Sequence, residues 1–130
     1  MPSKIILTIC LCLAFGFALS ADTGRAAGPG AKGRFQGAGG HYATGSVSIV
    51  SSGGTTRLVF NRDFKLGRYP DPKIGFGHNG FKPATIIAPL GRNLGGQAYV
   101  IPKRIDLKKY NQVWLWCERF NVPLAVAPLK

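Results

Sequence analysis

Eighteen glycines and nine prolines cut this chain into short pieces, and that punctuation decides which architectures are open to it. A proline inside a helix removes a hydrogen bond and clashes with the preceding turn, and an interior glycine costs about 0.5–1 kcal/mol relative to alanine. No stretch shows sustained helical periodicity with caps. What lies between the breakers is apolar or β-branched: residues 45–50, 56–60, 73–78, 84–88, 98–101, 112–120 and 122–128. Turn residues separate them at Ser51-Ser52-Gly53-Gly54, Tyr69-Pro70-Asp71-Pro72, Asn79-Gly80, 91–96 and Asn121. Short strands at this spacing predict an all-β fold, a single antiparallel β-sandwich, barrel-like, of about seven to nine strands. Residues 106–110 are expected to form one helical turn.

The N-terminus reads as a secretory leader over residues 1–20: Lys4, an apolar stretch 5–17, and small residues at Ala18-Leu19-Ser20 before Ala21. The apolar stretch is shorter than the roughly 20 residues a membrane span requires, so the mature chain is expected to carry no transmembrane segment and to work outside the cytoplasm, in a periplasm or secreted. Residues 21–34, rich in Gly and Ala, read as a flexible linker, and one folded domain is expected over 35–130.

Cleavage would remove Cys10 and Cys12 and leave Cys117 alone. A single thiol in an oxidising compartment has no partner in its own chain, so it is either an inert core residue or a working atom. Strand alternation puts Val113, Leu115 and Cys117 on one face and Trp114, Trp116 and Glu118 on the other. Cys117 therefore ends a core-facing row, and composition alone makes it a packed thiol. The two tryptophans carry too much apolar area to be left in water, so their face is expected to lie against another segment or a partner.

Charge supplies the second constraint. The chain carries a formal net charge of +12, and the leader contributes only Lys4 to it. A field of that sign concentrates anionic partners over a screening length of about 8 Å. Outside a cell this points to an acidic redox protein or an anionic cell-surface component, with no nucleic acid expected.

Familiar reaction chemistries find little support. Gly75-Phe76-Gly77-His78-Asn79-Gly80 matches the dinucleotide fingerprint literally, but Phe81-Lys82-Pro83 follows where a helix should open. A type-one copper site is not expected, because His41 and His78 both precede Cys117 and the only methionine is Met1. Covalent haem attachment lacks its second cysteine, and one Cys with two His is poor material for a zinc site, so no metal is expected. No nucleophile-elbow pattern surrounds any serine, which leaves an electron-transfer or binding domain ahead of a stand-alone enzyme.

The residues resemble a known family, the electron-transfer DM-thirteen domain. The opening resemblance runs through Phe35, 37–40, His41, Gly45-Ser46-Val47, Leu58 to Phe60 and Asp63-Phe64. The closing one runs through Leu94, Gly95-Gly96-Gln97-Ala98-Tyr99, Ile101-Pro102, Asp106-Leu107, Tyr110, Val113-Trp114-Leu115-Trp116-Cys117 and Phe120-Asn121-Val122. The resemblance implies an extracytoplasmic redox domain using Cys117 as a free thiol or as ligand to a prosthetic group such as a non-covalently held haem, with His41 as a second group. Around 67–73 the chain departs from the family's usual Gly-Pro-Asp turn. The alternative function is a non-catalytic secreted binding module, with Trp114, Trp116, Tyr99 and the cations Arg57, Arg62, Lys65, Arg68, Lys103, Arg104, Lys108 and Lys109 gripping an anionic surface or partner.

Overall fold

A computed structural model describes residues 27–130. The expected leader, Cys10, Cys12 and the first part of the expected linker lie outside the described residues. The described residues form twelve strands: β1 (Lys32–Arg34), β2 (Gln36–Gly37), β3 (Ala43–Thr44), β4 (Ser46–Ser52), β5 (Thr55–Phe60), β6 (Lys65–Leu66), β7 (Pro72–Gly77), β8 (Phe81–Lys82), β9 (Ala88–Pro89), β10 (Gln97–Val100), β11 (Gln112–Cys117) and β12 (Val122–Pro128). All pairings are antiparallel.

Two open sheets carry the fold, one ordered β1-β4-β5-β10 and the other β2-β12-β11-β7-β8, with β9 also on β7; β3 and β6 form a separate small ladder. The all-β antiparallel sandwich expected from the sequence is thus what forms, and neither large sheet closes into a barrel. The longer strands are those the sequence marked. The additional ones have two or three residues each, too short to leave a periodic signal.

The core forms where the inward rows of both sheets meet: Val47 and Ile49 from β4, Leu58 and Phe60 from β5, Ile74 and Phe76 from β7, and Val113, Leu115 and Cys117 from β11. Each fully buried large side chain is worth about 1.5–3 kcal/mol of transfer free energy. Phe35, Phe60 and Phe64 close the core between the small ladder and the first sheet, with ring centroids 4.7–5.3 Å apart. A bulge between Leu115 and Trp116 lets β12 place both Leu124 and Ala125 in the core while Val122 stays opposite Cys117.

Three readings change. The segment expected as linker is packed from Ala27 onward: Ala27 and Ala31 are buried, β1 pairs with β4, and Lys32 exchanges both backbone hydrogen bonds with Lys130. Its small residues serve close approach, because a Cβ on Gly33 would collide with the Pro128 carbonyl. Residues 84–88 form no single strand: Pro83–Thr85 is a 3-10 turn and the strand there is only β9. The strand expected over 112–120 stops at Cys117, because Asn121 takes a left-handed conformation (φ 53°) that turns the chain into β12. The expected helical turn is present as the 3-10 turn Leu107–Lys109, capped by the Asp106 carboxylate accepting from Lys108 N–H.

Candidate functional site

Cys117 ends β11 with Pro72 of β7 on one side and Val122 of β12 on the other. Only 1% of its surface is exposed, and its face is shared by Val113 and Leu115. Both flanking strands begin beside left-handed residues, Asp71 (φ 50°) and Asn121, types that tolerate that conformation. Just past the thiol the sheet end is held by charge. Lys73 Nζ donates to Asp71 at 2.8 Å and to Glu118 at 3.3 Å, and Glu118 N–H donates to the Asp71 carbonyl. The hydrogen bond from Lys73 lowers the Asp71 pKa from its ordinary value, and the same bond raises that of Lys73.

His41 lies in the loop after β2, half-buried, its Nδ1 2.7 Å from the Ala38 carbonyl. A carbonyl only accepts, so Nδ1 is the donor in this bond. The ring stands edge-on to Tyr69, centroids 4.4 Å apart, and the Tyr69 hydroxyl accepts from Tyr42 N–H. The His41 loop packs along the start of β12: Ala38 N–H donates to the Leu124 carbonyl, and a Cβ on Gly39 would touch the Pro123 carbonyl at 3.3 Å. Pro123 follows Val122, and Tyr69 precedes Pro72 by three residues, so both neighbours of Cys117 lead to the His41–Tyr69 pair. The two residues sit at one end of the second sheet, and no hydrogen bond joins them.

The outer face of that sheet answers the tryptophan expectation. Trp116 is stacked by Phe81 (4.4 Å, 15°), and Trp114 meets Trp116 edge to face at 6.1 Å. Their indole N–H groups donate to Asn121 and Gln112. Strand β7 passes beneath as glycine: a Cβ on Gly75 would lie 2.7 Å from the Phe81 ring, and one on Gly77 would meet Trp114 Nε1 at 2.6 Å. The glycine run that imitates a dinucleotide fingerprint therefore makes room for an aromatic layer.

Over residues 34–129 the chain matches the family model described as Electron transfer DM13. The chain belongs to this family. No curated protein and no solved structure matches it. The DM13 match spans Cys117, His41 and the aromatic face together.

Among the described residues this DM13 chain shows no open seat for a haem at Cys117. The sulfur is enclosed in apolar packing, and three open grooves, bounded by Lys32 and Lys130, by Thr55 and Leu107, and by Lys65 and Leu94, are lined by other residues. A macrocycle at that sulfur would have to displace β7 or β12, both fully paired with β11. Among the described residues no cluster of three or more metal-ligating side chains forms, and no helix is long and apolar enough to cross a membrane.

The basic side chains expected to act with the tryptophans are spread over different faces. Arg57 is on β5 and Tyr99 on β10, in the first sheet, while the tryptophans face outward from the second. Tyr99 packs against Phe60 in place of offering a binding face, and Arg104 is occupied by the Ala84 and Ile86 carbonyls. Arg62, Lys103, Lys108 and Lys109 stand exposed in connecting segments. Lys65 and Arg68, by contrast, share a groove of about 560 Å³ with Arg92 and Leu94. Arg92 and Leu94 escape sequence reasoning because the groove exists only once β6 lies beside the 91–96 loop, where Lys65 bridges Leu94 and Leu66 N–H donates to the Asn93 carbonyl.

Proposed function

We propose that this DM13 domain works outside the cytoplasm as an electron-transfer module whose redox unit is the Cys117 thiol and whose basic surface docks an acidic redox partner. Family membership is the observation that carries the electron-transfer part, and Cys117 is the one cysteine within the matched region. Burial narrows the chemistry. Thiol-disulfide exchange and pairing with a second chain both require direct access to sulfur, and a 1% exposed Cys117 denies it. What remains is single-electron exchange across the sheet end: the thiol loses one electron and one proton, the electron passes to a one-electron acceptor bound at the surface, and the proton leaves to solvent.

The test uses titration of the full chain with ferricyanide as one-electron oxidant. Wild type is expected to consume an oxidising equivalent that the Cys117→Ser variant does not, with both giving the same far-UV spectrum. Equal consumption by the two proteins ends the thiol reading.

A second reading draws on the same burial. A sealed thiol amid unpaired surface cations also describes a non-catalytic binding module for anionic partners, and that reading predicts full function in Cys117→Ser.

A further inference from the structure

The described residues contain four acidic side chains, and each is engaged: Asp63 with Ser46 and Arg34, Asp71 and Glu118 with Lys73, and Asp106 in its cap. Among the described residues, no carboxylate lines the groove between β6 and the 91–96 loop. Its cations are Lys65, Arg68 and Arg92, all exposed, with one Arg92 nitrogen donating to the Gly96 carbonyl. Two large apolar side chains stand in water beside them, Leu94 at 59% exposure and Tyr42 at 53%, with Lys65 Nζ 5.8 Å from the Tyr42 ring centroid.

We propose that this groove is the docking site for an acidic protein segment that sets an apolar side chain on Leu94 and Tyr42 and its carboxylates on Lys65, Arg68 and Arg92. Three cations with no counter-ion among the described residues select an anion. The pair of exposed apolar residues selects among anions, because a protein interface joins an apolar centre to a charged rim, and a polysaccharide or a phosphate headgroup has little to place there. The groove also connects to the thiol by short chain paths. Arg68 lies four residues before Pro72, the strand partner of Cys117, and Leu90, two residues before Arg92, donates its N–H to the Pro72 carbonyl. A partner seated here rests against the segments that hold one side of Cys117. This localises the partner of the reading above and rests on it only for the partner's redox character.

The probe is a fluorescein-labelled peptide of glutamates around a central Leu-Phe pair, followed by anisotropy at low salt, with heparin and anionic phosphatidylglycerol vesicles as competing ligands. The triple variant Lys65→Glu, Arg68→Glu, Arg92→Glu is expected to lose about tenfold or more in affinity, whereas Arg57→Glu, Lys108→Glu, Lys109→Glu, with the same change in charge, loses under about threefold. Leu94→Ser, a milder change at an exposed position, is expected to weaken binding about threefold with unchanged salt dependence. Equal loss in the two triple variants, no peptide binding by wild type, or groove-dependent capture of heparin or vesicles without peptide binding each overturns the proposal. Cys117→Ser is expected to bind the peptide as wild type does, so an inert thiol leaves the groove standing and a failed groove leaves the thiol to the ferricyanide titration.

Discussion

Thr85 shows how much one side chain holds. It is the buried polar residue among those described, 1% exposed, and its hydroxyl accepts from Phe76 N–H at 2.7 Å while sharing its proton between the Phe76 and Lys82 carbonyls. Phe76 is paired with Lys82 of β8, and the hydroxyl ties the backbone of that pair to the 3-10 turn. Thr85→Val keeps the shape and removes the hydroxyl's bonds to the Phe76 and Lys82 backbone, at a cost of about 1–3 kcal/mol. Urea denaturation is expected to show the midpoint falling with unchanged slope, while Thr85→Ser stays near wild type. Cys117 makes the opposite case: its place in the alternating row follows from the sequence, yet nothing in the sequence tells whether a row's last member opens to solvent. Closure comes from Pro72 and Val122, brought in by two other strands.

Among elements, β7 is the one on which the second sheet depends, since β11, β8, β9 and the 3-10 turn at Pro83–Thr85 all meet it. Its outward residues are Lys73, Gly75 and Gly77, so the aromatic layer lies almost on backbone. Gly77→Ala would drive a methyl group into the Gly80 carbonyl and the Trp114 indole. Overpacking of this kind costs about 1–3 kcal/mol, and the β7–β8 hairpin is expected to open. A red-shifted tryptophan emission together with a lower denaturation midpoint would record it; Gly28→Ala, which meets nothing within 4 Å, serves as the silent control.

For the whole molecule, the scarcity of carboxylates makes the few present consequential. Asp63 is held below its ordinary pKa chiefly by the Ser46 N–H, and Asp71 chiefly by Lys73. A carboxyl whose folded pKa is depressed contributes stability that is present above the unfolded value of about 3.9 and lost as pH falls through the folded one. Tm is therefore expected to hold from neutral pH down to about 4 and to fall below it. Asp63→Asn should lower Tm at pH 7 and flatten that acid limb; an unchanged limb in thermal melts would show that the Ser46–Asp63 link does not contribute.

By itself the sequence determined the strand class, the main strands, the inward row ending at Cys117 and the excess of positive charge, because alternation, turn residues and ionisable groups are properties of neighbours along the chain. It misread residues 27–34 as linker, since small residues that allow flexibility are the same ones that allow two backbones to close on each other, and only the pairing of β1 with β4 separates the cases. The glycines of β7 looked like a nucleotide signature until Phe81 and Trp114 lay over them. The His41–Tyr69 pair beside the thiol's neighbours, the covering of the sulfur and the groove of Lys65, Arg68 and Arg92 belong to the tertiary structure alone. Each joins residues whose separation along the chain carries no periodicity, and only the packing of strands fixes the distances between them.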